Sequence, residues 1–479
     1  MAIGDIAFGL AAGFLNGILS AALGWNLALD VGILSVGCLA ALIISRRLRF
    51  SQFFLVFLVS VPMGAFYYHA YLHWKAAADR FPDPSAVFTA VISDEPKISG
   101  NSVYFSANLR PPFSGMLAVF ASASDTFHYG DLIEAKGPIQ PGRMPGGRPA
   151  VFSKAVVVFG AHQGFWLREK MIAFKEAIEA EFREFLSVDA AALLGGMTFG
   201  GTSGMSKGFK DEMAASGTSY VASMYGAKIF YLAWAIEQSL KRRLMRRTRF
   251  FVAAAAVILF VAMAGASLVV VRAALIAFLG LLAKEIGRRL SKRNALAVIG
   301  AGMAIFDPTI IIQPVFTLSF LSVAGILYLD QPLRIFLGWR GKGGGFLKWR
   351  ESVIIAAAVL LAIIPVLVAG SGQEFSLAIF PSNALIGISL PFAIGFGYSL
   401  AFAGFVLRYL GAAVAAVGSV ILWYDFAIIK IFAAFTLPLP IGFNSIIPFV
   451  IYYAALAGFA YFYRERVLSA RLPDYKKAP

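Results

Sequence analysis

The amino-acid sequence predicts a polytopic α-helical membrane protein of about twelve spans, carrying one small extracytoplasmic all-β (OB-like) insert. Three observations predict it. Apolar residues make up 59% of the 479 and charged residues 14%, where a soluble domain has about 45–50% and about 25%. The mean hydropathy is +0.76, so most of the chain needs lipid as its solvent. The basic residues cluster between apolar runs, as cytoplasmic loops do under the positive-inside rule.

The first apolar runs cover about 6–23, 27–45 and 53–68. The opening MAIGD has no basic n-region and no small-residue cleavage site, so the first run reads as a retained span. Residues 1–74 are therefore N-terminal transmembrane helices. From 75 to 165 Pro, Gly, Ser and Asp become frequent and no run is long enough to span. Short β-like stretches at 87–92, 103–109, 116–121, 132–136 and 154–159 alternate with turns such as Tyr129-Gly130-Asp131. They fit a small OB-type barrel, and small sheets of other topology fit nearly as well. The insert's aromatics (Tyr104, Phe105, Phe113, Phe120, Phe127, Tyr129) lie near Arg110, Lys136, Arg143, Arg148 and Lys154. Such rings stack nucleobases or fill a barrel core.

Residues 166–217 read as amphipathic helices. The first, 166–187, has charge pairs at helical spacing. The second, 205–216, places Met205, Phe209 and Met213 on one face and ends at Gly217, a favoured C-terminal cap residue. Residues 218–465 form the main transmembrane domain, with runs at about 219–237, 250–265, 267–285, 294–306, 315–330, 353–370, 377–398, 400–422 and 445–463. Lys430, Pro438 and Pro440 leave 425–440 ambiguous between a half-helix and a re-entrant piece. With the N-terminus inside, twelve crossings put the insert outside. The clusters at 46–49, 241–249, 288–293 and 334–350 and the basic tail at 466–479 then all fall in the cytoplasm. These clusters hold more than half of the 42 Lys and Arg, so most of the net charge of +16 needs no polyanionic ligand.

Two cations stand out. Lys228 falls near the middle of the run 219–237, where insertion of a Lys costs about 2.5–3.5 kcal/mol. Arg272 lies a few residues into the run 267–285, and if both runs start outside, the two share one depth. Cations at one level of a bundle make a path for an anion. Arg408 reads as the inner end of a span. The glycines at 195, 196, 200, 201, 204 and 208 lack the strand and Lys-Ser/Thr pair of a phosphate cradle and read as close packing or a bend. Cys38 is the only cysteine, and His69, His73, His128 and His162 form no ligand motif, so neither a metal nor a cofactor is expected. Asp307, Glu374 and Asp425 lie near predicted outer ends without motif spacing, so no enzyme is expected.

The stretch 193–229, LLGGMTFGGTSGMSKGFKDEMAASGTSYVASMYGAKI, resembles the opening of the competence domain in the ComEC family of DNA-uptake channel proteins. Gly217, Ser219 and Gly226 match, and Tyr220 and Lys228 stand where the family usually has His. Gly265, Ser267, Arg272, Ala273 and Arg288 resemble the family's next helix and basic loop. Asn294, Pro308, Phe316, Leu318, Ser319, Phe320 and Gly325 resemble the motif after it. Pro365, Phe375-Ser376-Leu377, Asn383 and Pro391 resemble the last. The order and the insert match the family as well.

The resemblance implies a channel that passes single-stranded DNA across the bacterial cytoplasmic membrane during natural transformation. Both termini are then cytoplasmic and membrane lipid surrounds the bundle. Lys228, Arg272, Asn383, Tyr220 and Ser219 would line the DNA path, and Gly217, Gly226, Pro308, Ser319 and Pro365 would be structural. A DNA receptor and a cytoplasmic helicase or ATPase are the implied partners. Many members carry a C-terminal metallo-β-lactamase-like nuclease domain, but this sequence has no HxHxDH, so degradation of one strand is expected of a separate nuclease. The rival readings are a secondary transporter of a small anion, and a membrane-embedded enzyme acting on a phosphorylated lipid-linked substrate.

Overall fold

A computed structural model of the chain describes residues 3–24, 48–83, 86–99, 102–122, 126–140, 149–153, 156–201, 204–219, 225–287, 291–339, 349–371, 375–376, 378–435, 438–439 and 446–470. The expected run at 27–45, Cys38, Tyr220 and Glu374 lie outside them. Five described helices are long and apolar enough to cross a membrane: Gly4–Ala22, Pro314–Phe336, Trp349–Ala369, Ile379–Val406 and Arg408–Ala434. The chain divides into two compact units, Met1–Ile178 with Leu232–Gln313, and Glu179–Tyr231 with Pro314–Pro479.

In the first unit α1 (Ile3–Ala22) and α2 (Leu48–Ala78) lie backbone to backbone. A Cβ on Gly17 would lie 1.9 Å from the Val61 carbonyl oxygen, and one on Gly64 2.1 Å from that of Phe14. Small residues permit this approach where lipid offers no hydrophobic drive. The pairings ascend together along both helices, so α1 and α2 run parallel.

The insert forms an eight-stranded sheet: β1 (Val87–Ile92), β2 (Lys97–Ser99), β3 (Ser102–Leu109), β4 (Met116–Ser122), β5 (Leu132–Lys136), β6 (Ile139–Gln140), β7 (Ala150–Phe152) and β8 (Val156–Gly160). β1, β3 and β4 pair antiparallel in sequence, β5 pairs with β1, and β7 runs parallel to β4. β8 pairs antiparallel with β5. The chain through β7 and β8 thus touches both ends of the strand order. Alternate residues of β3, β4 and β5 point inward and build a core that includes Phe88, Phe105, Leu117, Val119, Phe127 and Ile133. Of the expected stretch 154–159, the described strand begins at Val156.

After α3 (Trp166–Phe185) come α4 (Val188–Thr198), α5 (Lys207–Ala215) and α6 (Tyr225–Leu240). The first unit continues with a helical hairpin, α7 (Arg246–Met263) and α8 (Leu268–Glu285), turned at Gly265 and Ala266. Next is α9 (Lys292–Phe306), held to α1 by Ala11, Ala297 and Ala301 and by an Arg293–Asp5 ion pair of 2.9 Å. Asp307 then caps a 3-10 turn, Pro308–Ile312, accepting from the Thr309 backbone N–H. Pro308 suits that first position because its missing N–H has no partner to lose.

In the second unit α10 (Pro314–Phe336) and α11 (Trp349–Ser371) meet at Gly325, where a Cβ would lie 2.3 Å from the Ala358 carbonyl oxygen. α12 (Ile379–Val406) and α13 (Arg408–Ala434) form an antiparallel hairpin broken at Leu407. The expected run 400–422 is therefore displaced. Residues up to 434, placed in the ambiguous stretch, complete α13, and Pro438–Leu439 pair with Phe375–Ser376. α14 (Ile446–Ala470) donates hydrogen bonds from the Tyr452 and Tyr453 hydroxyls to Leu361 and Ala362 of α11.

Candidate functional site

The second unit is organised around a stretch that follows α12 from one end to the other. A Cβ on Gly404 would meet Glu181, and one on Gly397 would meet Thr198. Ser382 donates to the Ser216 carbonyl at 2.8 Å, and Gly217 faces Ile379. Within the stretch α4 is buried from Leu193 to Thr198, and the backbone then leaves helical geometry at Gly200 and Gly201, with φ of +100° and +97°. Glycine adopts this region without the clash a Cβ brings. Irregular backbone among apolar helices is tolerated where protein buries it or where it lines a cavity.

Lys228 closes on this break. Lys228 lies on α6, whose described part runs from Tyr225 to Leu240. Its side chain is fully buried. Nζ donates to the Gly196 carbonyl at 2.6 Å and lies 4.7 Å from the centre of the Tyr225 ring. Gly196 is in the last turn of α4, where carbonyls lack helical partners and the helix dipole favours a cation. The Tyr225 ring lies against the next break residue, since a Cβ on Gly200 would sit 2.2 Å from it. In this conformation the ammonium faces protein rather than open space.

The other expected path residues have separate surroundings. Asn383 donates through Nδ2 to the Gly217 and Ile379 carbonyls at 3.0 and 2.8 Å, which ties α12 to the end of α5. That end is a Schellman turn: Gly217, at φ +70°, donates to Ala214, and Thr218 donates to Met213. Ser219 is exposed. Gly226 lies in α6, where a Cβ would meet nothing within 4 Å. Ser319 is buried on α10, and α11 continues through Pro365. Arg408 opens α13 and pairs with Glu184.

Arg272 belongs to the first unit. It is buried on the second turn of α8, close after the hairpin tip. Arg168 holds that tip: its guanidinium donates to the Ser93 carbonyl at 2.7 Å and the Gly265 carbonyl at 3.2 Å, and lies 4.4 Å from the Tyr129 ring centre. One arginine thus ties the sheet to the α7–α8 turn.

The sheet separates its aromatics by face. Phe105 and Phe127 pack in the core with ring centres 5.1 Å apart. Tyr104, Phe120 and Phe152 form a row on the outer face, with ring centres 5.9 and 4.7 Å apart. They are direct cross-strand partners on β3, β4 and β7. Lys97, opposite Tyr104 on β2, adds an ammonium 5.8 Å from the Tyr104 ring centre. Sequence alone assigned these rings to neither face. Alternation within β3 separates Tyr104 from Phe105, but the Phe152 end of the row needed the β4–β7 pairing.

Asp425 is the group that sequence reading misplaced. It is not near a helix end but well inside α13, and it is fully buried. Its Oδ1 is hydrogen bonded to Ser389 of α12. The one available signal was a single acid in an apolar run, and the displaced boundary hid it.

A family model described as Competence protein matches residues 197–466. No curated protein and no solved structure matches the chain.

Proposed function

The chain belongs to the Competence protein family, and from that premise we propose that it is a channel carrying single-stranded DNA across the bacterial inner membrane during natural transformation. It is a membrane protein of a DNA-uptake system. The observation that carries the finer reading is Lys228, a cation buried at the glycine break of a segment that follows a membrane-length helix. Burying a Lys among membrane helices is costly, so it is retained for a task. In our reading this is the closed state of the path. Lys228 and Arg272 meet passing phosphates once the path opens, through weak contacts at several sites.

Several features support the topology that this reading requires. α1 and α2 run parallel, which agrees with an odd number of crossings before the insert. Arg168 joins the insert to the α7–α8 tip, and twelve crossings place both outside. The termini are then cytoplasmic. The strand pairing supports reading the insert as OB-type: a three-strand meander, a fourth strand on the first, and a fifth running parallel to the third before reaching the fourth. Its outer aromatic row, flanked by Lys97, offers stacking to an arriving strand. The chain acts as a conduit rather than an enzyme, and works with a DNA receptor, a cytoplasmic helicase or ATPase and a separate nuclease.

The test is uptake of labelled DNA by transformable cells that carry K228M or R272E. Loss of internalised label at normal protein level is expected. Normal uptake by both variants would overturn the path. A discontinuous segment also suits a secondary transporter of a small anion, and in that case a deletion strain would still import DNA.

A further inference from the structure

Ser389 has a single hydroxyl proton and two acceptors within hydrogen-bond reach. One is the Ile386 carbonyl at 2.9 Å, and the other is Oδ1 of Asp425. A carbonyl only accepts. If Ser389 donates to Ile386, its contact with Asp425 is a hydrogen bond only when the carboxyl supplies the proton. The other oxygen, Oδ2, is buried with no hydrogen-bond partner among the described residues. Asp425 forms no ion pair among them either. An ionised carboxylate so placed would have one donor at most, in surroundings that penalise charge.

We propose that the Ser389–Asp425 pair is a proton-binding site that latches the α12–α13 hairpin. In the packed hairpin Asp425 is the neutral acid and donates to Ser389, which donates to Ile386. Release of the proton to solvent leaves a carboxylate that demands water, and water reaches it only if the helices part. Proton binding therefore favours the closed hairpin, and proton loss favours an open one.

The groups on the packed elements leave this assignment intact. α12 contributes only Tyr398 as a titratable side chain. α5 carries Lys207, Lys210, Asp211 and Glu212, and α4 carries Asp189, which accepts from Ser206. On α13 itself Tyr424 donates to the Leu385 carbonyl, Lys430 is exposed and Arg408 pairs with Glu184. None of them forms a hydrogen bond or ion pair with Asp425.

The experiment uses the full chain in lipid nanodiscs, without DNA, so its outcome is independent of the channel reading. Infrared difference spectra at neutral pH compare wild type with D425N and S389A. A protonated-carboxyl carbonyl band is expected that D425N removes and S389A shifts. Hydrogen exchange of peptides from α12 and α13 should then rise as pH increases, by up to about tenfold per pH unit beyond the intrinsic rate for one linked proton. D425N, whose amide stays neutral and still donates, should lose that extra rise. If D425N does not fold, the S389A shift carries the test alone. Absence of the band in wild type, or an equal rise in both proteins, would overturn the proposal.

Discussion

The Lys228 ammonium lies 2.6 Å from the Gly196 carbonyl oxygen, across 32 residues of sequence. It joins α6 to the last turn of α4, beside a backbone break that only glycine makes without strain. The contact satisfies a cation and an orphan carbonyl together. The contact makes Lys228 a structural tie in this conformation, and under the proposed channel reading it is also the charge that an opened path would expose.

Substitution at 228 separates those two roles. K228M keeps the volume and removes the charge, leaving the Gly196 carbonyl unpaired at a cost of about 1–3 kcal/mol. K228E sets a carboxylate against that carbonyl and the face of Tyr225, and should prevent stable accumulation. K228R restores a cation with a bulkier head. The expected order of DNA uptake, at matched protein level, is wild type, then K228R, then K228M. Equal uptake in K228R and K228M would leave Lys228 a tie without a part in transport.

Gly217 and Gly226 make a matched pair for stability. Gly217 has φ +70°, and a Cβ there would lie 2.7 Å from Cγ1 of Ile379. G217A should destabilise by about 1–2 kcal/mol from the left-handed backbone alone, with the clash added. G226A places a Cβ in open space within a helix and should be neutral or stabilising by up to about 1 kcal/mol. Thermal unfolding of the detergent-solubilised protein should rank G217A below wild type and G226A at or above it. The reverse ranking would contradict the turn described here.

The outer aromatic row should bind single strands. Phe120 sits between Tyr104 and Phe152, so F120A breaks the row at its centre. Loss of one stacked base is worth about 1–3 kcal/mol, or roughly 5- to 150-fold in affinity. Fluorescence anisotropy with a labelled oligonucleotide should show weaker binding for F120A and F152A, and affinity falling as salt rises. Unchanged affinity in both variants would assign the row to packing.

Much of this architecture is written locally. Long apolar runs specify α1, α10, α11 and α12, and alternation specifies β1, β3, β4 and β5. Gly217 marks the end of α5 because a left-handed cap needs glycine. What escaped depends on distant pairing or on weak boundaries. β2, β6 and β7 are two or three residues long and exist through their partners. Asp425 became legible only once α13 was seen to begin at Arg408. The Lys228 partner lay on another helix, and the cation alone could announce a need but not what meets it.

Sidedness can be read from three positions in the first unit. Arg168 ties the sheet to the α7–α8 tip. At the other end of the same hairpin, Arg246 pairs with Glu285 at 3.3 Å and Lys284 with Glu237 of α6 at 2.7 Å. In the proposed topology this hairpin crosses the membrane, so its tip and base face opposite sides and the insert shares the side of the tip. With Cys38 replaced by Ser, single cysteines at His128, Ser267 and Lys241 report the insert, the tip and the base. Ser267 suits substitution because its side chain makes no capping hydrogen bond. An impermeant maleimide applied to intact spheroplasts should label positions 128 and 267, and should reach 241 only after permeabilisation. Labelling of 128 without 267 would break the link through Arg168. Labelling of 241 alone would invert the topology and with it the direction of transport.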